Sequence, residues 1–245
     1  MSSPAGGNIG LSGSSDSRQA LSFNAGVSYS WNEFGGWGVF PYVSVSIKPA
    51  PSLSVSVGPA LSRSHSLAQY VRTVTDATAD DTYGARYVFS DLDRTELSMS
   101  TRVNWVLTPR VSLQVYAQPL LATGNYWGFK QLARPATFDF LRYGESGSAI
   151  AFDPSAGTYR VDPDGAGPAS AFTLTNPDFN FKSLRLNTIF RWEWRPGSTL
   201  YLVWTERRED YTHPGDFALG RDARALFGAP ADDVFLVKMS VWMGR

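Results

Sequence analysis

Apolar residues recur at every second position along most of the chain. In Leu21, Phe23, Ala25, Val27, Tyr29 and Trp31 every odd position is apolar, and Ser22, Asn24, Gly26, Ser28 and Ser30 fill the gaps. Val43, Val45 and Ile47 repeat the pattern, and so do Leu53, Val55, Val57 and Leu61. Leu97, Met99, Val103, Trp105 and Leu107 alternate with Glu96, Ser98, Ser100, Arg102 and Asn104. Val111, Leu113, Val115 and Ala117 alternate with Ser112, Gln114, Tyr116 and Gln118. Leu184, Leu186, Phe190, Trp192 and Trp194 alternate with Arg185, Asn187, Arg191, Glu193 and Arg195. Leu200, Leu202 and Trp204 form a shorter set, and Phe235, Val237, Met239 and Val241 stand opposite Lys238 and Ser240. Successive side chains on a strand point to opposite faces, so each segment has one apolar and one polar side. The pattern predicts about eight strands, each near the 9–11 residues of a tilted bilayer-crossing strand.

The connections carry a second regularity. Those at Lys48–Ser52, Thr108–Arg110 and Arg195–Ser198 are tight and contain Pro or Gly, which set turn dihedrals without steric cost. Those at about 72–94, 124–183 and 210–232 are long, and the one at 32–37 is shorter. Strands running up and down in order put every tight turn and both termini on one side and every longer loop on the other, the layout of outer-membrane barrels. A soluble antiparallel sandwich also alternates. However, its solvent face collects Lys, Glu and Thr, whereas the polar positions here are mostly Ser, Asn, Gln, Gly and Arg. Bulky aromatics also gather near strand ends (Tyr29, Trp31 and Trp37; Trp192 and Trp194; Tyr201 and Trp204; Trp242), as in interfacial girdles.

Composition narrows the classes. Lys+Arg and Asp+Glu balance at 22 each, which gives no global field for nucleic acid. Charged residues make up 18 % and aromatics 14 % of the chain, too uncharged and too aromatic for disorder. No window approaches the roughly 18 apolar residues of a spanning helix. The absence of cysteine removes disulfides, thiol nucleophiles and thiolate metal sites. The opening residues lack the basic start and apolar stretch of a signal peptide, and 1–17 reads as a flexible segment.

Four segments carry a resemblance as a set: Arg86-Tyr-Val-Phe-Ser-Asp-Leu-Asp-Arg94, Leu113-Gln-Val-Tyr-Ala-Gln-Pro119, Arg191-Trp-Glu-Trp-Arg-Pro-Gly-Ser-Thr-Leu-Tyr-Leu-Val-Trp204 and Phe235-Leu-Val-Lys-Met-Ser-Val-Trp242. The chain resembles the C-terminal barrel region of a bacterial family of unknown function. Members of that family carry a family-nine-type carbohydrate-binding-like domain before a large outer-membrane barrel. The resemblance covers about 18–245 and implies a Gram-negative outer-membrane location, with no catalytic residues to carry over. It also implies that the N-terminal domain and earlier barrel strands belong to a longer protein. Eight strands can close alone into a narrow barrel filled by side chains. As part of a larger barrel they leave two edges that need pairing.

Candidate chemistry is sparse. His65 and His213 have no second ligand at metal spacing and read as polar surface. Gly144-Glu-Ser-Gly-Ser148 lacks the setting of a nucleophile elbow. Asp162-Pro-Asp-Gly165 opens like a calcium loop but continues with Ala166, Gly167 and Pro168, so it reads as a turn. Asp80-Asp81 and Asp232-Asp233 read as solvated loop carboxylates. Parity places Glu96, Arg102, Gln114, Gln118, Arg185, Arg191, Glu193 and Lys238 opposite the apolar stripe, lining a lumen or forming Arg–Glu ladders that pack it. Glu206 breaks parity beside Leu202 and Trp204 and is expected above the bilayer edge near Arg207 and Arg208. The 124–183 loop offers Trp127, Phe129, Tyr143 and Tyr159 for sugar stacking, or for an inward-folded plug. A single helical turn is expected at 222–227.

These readings predict an all-β, antiparallel, up-and-down transmembrane barrel region over 18–245, with no cofactor and no metal. Its expected partners are outer-membrane lipid and carbohydrate. The function read from it is a non-enzymatic anchor or conduit. The alternatives are a soluble glycan-binding β-sandwich and a hydrolase with its site in 124–183. The discriminating expectation is that Phe190 and Trp192 face outward and Arg191 and Glu193 inward.

Overall fold

The computed structural model describes residues 3–212 and 214–243, so His213 lies outside the described residues. The chain is all-β and antiparallel. One ten-stranded sheet carries a meander of β1 (Gly6–Ser14), β2 (Leu21–Asn32), β3 (Trp37–Ala50), β4 (Leu53–Thr75), β5 (Ala85–Thr108) and β6 (Val111–Leu132). It continues through β11 (Phe179–Arg195), β12 (Ser198–Asp210) and β13 (Ala231–Ser240). Within the β6–β11 connection, β7 (Phe140–Arg142) pairs with β6, and β8 (Ala149–Asp153), β9 (Thr158–Asp162) and β10 (Phe172–Thr175) form a separate three-stranded sheet. The one α-helix among the described residues, α1 (Leu219–Gly228), lies between β12 and β13. The main sheet is open, with β1 and β13 as its edges.

The tight turns fall at residues 51–52, 109–110 and 196–197, all on one side of the sheet. Gly197 takes φ +77 in the last of them, a left-handed conformation that its missing Cβ permits. Two expectations about the ends are corrected. Residues 6–14 form β1, paired with β2 from Gly6↔Asn32 to Ser14↔Asn24, so the segment 1–17 is largely a strand. Because β1 runs down against β2, residue 6 sits on the long-loop side, and the two ends of the sheet's chain lie on opposite sides.

The strands also run further than the alternation indicates. β4 and β5 continue past the last apolar row as a ribbon paired up to Thr75↔Ala85, and the connection between them shrinks to 76–84. Register shifts at Ser66/Gln69, Tyr70/Arg72 and Phe89/Asp91 insert extra residues. Such bulges flip side-chain parity and strengthen local twist. The ribbon packs against the small sheet around Val88, Phe129, Tyr143, Val161 and Leu174, a hydrophobic core at the loop end of the molecule.

Register fixes which side chains share a face. One row on the apolar side runs Val55, Val103, Val115, Thr188, Trp204 and Phe235. The next runs Leu53, Trp105, Leu113, Phe190, Leu202 and Val237. No second layer covers these rows among the described residues. Leu21 is 60 % and Phe23 52 % exposed, while Ser22 between them is 8 % exposed. Apolar side chains on this face, among them Trp105, Leu202 and Phe235, are thus left exposed, which a water-soluble protein ordinarily covers. The apolar stripe covers Leu97–Leu107, Val111–Leu121 and Leu184–Trp194. Ten residue steps at about 3.3 Å, tilted by roughly 40°, give a band about 25 Å tall. Tyr29, Trp31 and Trp37 stand at its loop end, with the first two rings stacked at 5.8 Å. Trp192 and Trp194, 6.3 Å apart, stand at its turn end.

Candidate functional site

The polar face is built by the same registers, one residue out of phase. Ser56, Arg102, Tyr116, Asn187 and Thr205 form one row, and Gln118, Arg185, Arg207 and Asp232 another. Gln114 pairs with Asn104 and Ile189, Glu96 with Ser62 and Ala122, and Arg191 with Ser112 and Tyr201. Glu193 lies opposite Thr199, and Lys238 opposite Tyr201. All the residues expected on this side therefore share it: Glu96, Arg102, Gln114, Gln118, Arg185, Arg191, Glu193 and Lys238. Phe190 and Trp192 point the other way.

Ionic groups on this face are partly matched. Arg191 bonds Glu193 at 3.0 Å and also Tyr201. Arg94 bonds Glu96 at 2.7 Å. The Arg102 guanidinium stands 4.9 Å from the centre of the Tyr116 ring. Gln114, Gln118, Arg185 and Lys238 are exposed. Three open concavities lie here, one of about 470 Å³ between Tyr42, Ser62, Arg94 and Glu96. Alternation put Tyr116 on this face but did not single out the rings Phe40, Tyr42 and Tyr201 as part of it, although their parity was legible. Nor did it anticipate that the face turns apolar toward the open edge, at Ile189, Val203 and Leu236.

The loop end is held by buried ion pairs. Asp91, fully buried, receives Lys130 at 2.5 Å and Arg142 at 3.3 Å. The Lys130 ammonium also lies 5.2 Å from the Phe140 ring centre. Gly128, at φ +60, clears this site, since a Cβ there would meet Asp91 Oδ2 at 2.7 Å. Arg86 bridges Asp76 at 2.5 Å and Gln131 at 2.8 Å, and Tyr143 donates to the same Gln131 oxygen. Burial works to raise the Asp76 pKa, but hydrogen bonds from Thr78 and Arg86 outweigh it and hold the carboxyl below its ordinary 3.8. Asp210 follows the same logic, with Lys182 and Thr212 as donors. Burial pushes the Tyr143 hydroxyl well up.

Other candidate residues are placed as follows. Phe129 and Tyr143, read as sugar-stacking platforms, are 4 % and 7 % exposed in the loop core, so their faces are occupied by protein. Tyr159 packs between Phe129 and Phe152, each ring 4.7 Å away. Trp127 remains exposed, donating to Asp93 at 2.9 Å. The same Asp93 bonds His65 Nδ1 at 2.7 Å, so this histidine has a carboxylate partner 28 residues away that sequence spacing could not reveal. No hydroxyl bonds the His65 ring among the described residues, and no cluster of three His, Asp or Glu side chains forms there. Glu206 is buried against Arg208, whose guanidinium also caps the Phe227 and Ala229 carbonyls at the end of α1. A covering loop, rather than height above the apolar band, accommodates this off-parity carboxylate.

Fold and faces together define an all-β, antiparallel, up-and-down sheet with an uncovered apolar band on one face and a mainly polar opposite face. Its residues 1–243 match the family described as Domain of unknown function (DUF5916), and the chain belongs to that family. No curated protein matches the chain, and no solved structure does. No helix among the described residues is long and apolar enough to cross a membrane, which leaves strand crossings unaddressed.

Proposed function

We propose that the chain forms a wall of a non-enzymatic outer-membrane β-barrel that conducts or anchors polar solutes, with its loops outward. The single observation that carries this reading is the uncovered apolar face, whose band about 25 Å tall matches the hydrocarbon height of such barrels. Segregation of the cations supports it, because Arg or Lys facing lipid at mid-depth costs about 2–4 kcal/mol. The open edges β1 and β13 belong with a larger barrel completed by strands outside this segment.

On the polar side, Tyr42, Tyr116 and Tyr201 stand among Glu96, Arg102, Arg191 and Glu193. Rings beside charged hydrogen-bonding groups suit a carbohydrate, which offers apolar ring faces and hydroxyls together. The test is purification with and without detergent, followed by planar-bilayer conductance of the full chain. The expected result is aggregation without detergent, and a conductance in bilayers that oligosaccharide reduces. A monodisperse detergent-free protein overturns the barrel. A conductance insensitive to sugars overturns the carbohydrate assignment.

A further inference from the structure

The connection from β12 to β13 folds back over the apolar face instead of rising away from it. Leu226, 1 % exposed, packs on Leu121 and Leu184, with Leu97 and Phe217 alongside. Leu97, Leu121 and Leu184 are the loop-side ends of the apolar stripes on β5, β6 and β11, so α1 lies along the band's outer border. The helix remains half unpartnered there, with Leu219 53 % and Phe227 59 % exposed. Between it and the sheet runs a groove of about 210 Å³, walled by Pro59, Met99 and Pro119 below and Leu219, Ala223 and Phe227 above. Its lining is almost wholly apolar, and it is continuous with the uncovered band.

The charges around this groove are not distributed evenly. Lys182, Arg208 and Arg221 are each tied to carboxylates. Arg63 has no carboxylate partner among the described residues. It lies on the apolar-side parity two residues beyond Leu61, which pairs with Leu97. Arg224, next to Ala223, is exposed and, among the described residues, bonds the Gly220 carbonyl and no carboxylate. Arg63 follows Pro59 by four residues on the sheet wall and Arg224 adjoins Ala223 on the helix wall; cations so placed on both walls of an apolar groove match a ligand with an acyl chain and an anionic head at the chain's end.

We propose that this groove binds an acyl chain of a phosphate-bearing membrane lipid, with Arg63 and Arg224 meeting the phosphate. The site rests on the membrane reading and adds a lipid specificity to it. A water-soluble occupant would leave the groove's continuity with the band without purpose. An interfacial amphipathic helix with arginines beside its apolar face has the required chemistry.

The chain has no cysteine, so single-cysteine labelling is clean. A fluorophore is placed at Phe227→Cys, at Trp192→Cys within the band, and at Tyr83→Cys in the exposed 76–84 turn. The full chain is reconstituted in vesicles containing brominated-acyl phosphatidylcholine or brominated phosphatidylglycerol. The expected result is quenching at 227 and 192 but not at 83. At 227 phosphatidylglycerol is preferred by about fivefold per arginine. This preference disappears in Arg63→Gln/Arg224→Gln, and Ala223→Trp, which fills the groove, lowers quenching at 227 while leaving 192 unchanged. Inorganic phosphate in excess does not abolish quenching. Quenching at 192 without quenching at 227, equal response to both lipids, or a preference that survives the double substitution overturns the lipid site while the barrel stands. Quenching at neither position removes the barrel and the site together.

Discussion

Val103→Arg tests the orientation of the sheet most directly. Val103 lies six residues from Leu97 and four from Leu107, the ends of the apolar stripe on β5, and between Val55 and Val115 in its row. At about 3.3 Å per residue and a tilt of roughly 40°, it sits about 10 Å inside the nearer border of the band, close to mid-depth. A guanidinium there faces hydrocarbon at a cost of about 2–3 kcal/mol, roughly thirtyfold or more in the folding equilibrium. Gln114→Arg changes the opposite face, among Asn104 and Ile189, and stays within about 0.5 kcal/mol. The assay is guanidinium titration of the protein refolded into phosphatidylcholine vesicles, read as gel mobility without boiling. If Val103→Arg is neutral and Gln114→Arg carries the loss, the faces have been assigned the wrong way round and the membrane argument fails.

Lys130→Met leaves Asp91 buried with only the weaker Arg142 contact. It should cost about 3–5 kcal/mol locally, seen as faster proteolysis within 124–178 while the band strands stay protected. Phe129→Ala should cost about 3–5 kcal/mol of loop-core stability by hydrogen exchange, with no change in glycan binding, because the ring is packed rather than presented. Asp76 and Asp210 both have folded pKa values below 3.8, so the unfolded loop binds protons that the folded loop does not. Their contribution is therefore complete above 3.8 and falls away as pH drops through the lower folded values. Intrinsic-rate-corrected hydrogen exchange of 76–84 and 211–218 should loosen in that acid window, and Asp76→Asn should weaken the first segment at neutral pH and flatten its response.

The band was legible because period-two alternation survives wherever pairing is regular. Leu97–Leu107, Val111–Ala117 and Leu184–Trp194 were assigned from parity, and their registers agree with it. Alternation was lost where the backbone breaks phase. The bulges at Ser66/Gln69 and Phe89/Asp91, and Gly128 at φ +60, shift parity within continuous strands, so the ribbon of β4 and β5 and the end of β6 read as loop. β1 was hidden for a different reason. Only Ile9 and Leu11 mark its apolar side, and glycine, serine and Asn8 fill the rest. The buried pairs Asp91–Lys130 and His65–Asp93 join residues 39 and 28 positions apart, a relation that the tertiary fold alone creates.

The two ends of the molecule solve opposite solvent problems with the same strands. Below the Leu97–Leu121–Leu184 border, the sheet leaves Trp105, Leu202 and Phe235 bare and carries serine, asparagine and arginine on its other face. Above it, β5 and β6 bury Val88 and Phe129 under a second small sheet and pair the charges they bury, Asp91 with Lys130 and Arg86 with Asp76. On the membrane reading proposed above, a single bilayer border at that height would give each half the medium it matches. Glu206 and Lys182 fit the same border from the other side. They have apolar-side parity at or near it; Glu206 is tied to Arg208, which caps the end of α1, and the Lys182 ammonium bonds Asp210 and the Thr212 carbonyl. A sheet designed to be wetted on both faces would have no reason to roof these two charges while leaving Phe235 and Val237 uncovered.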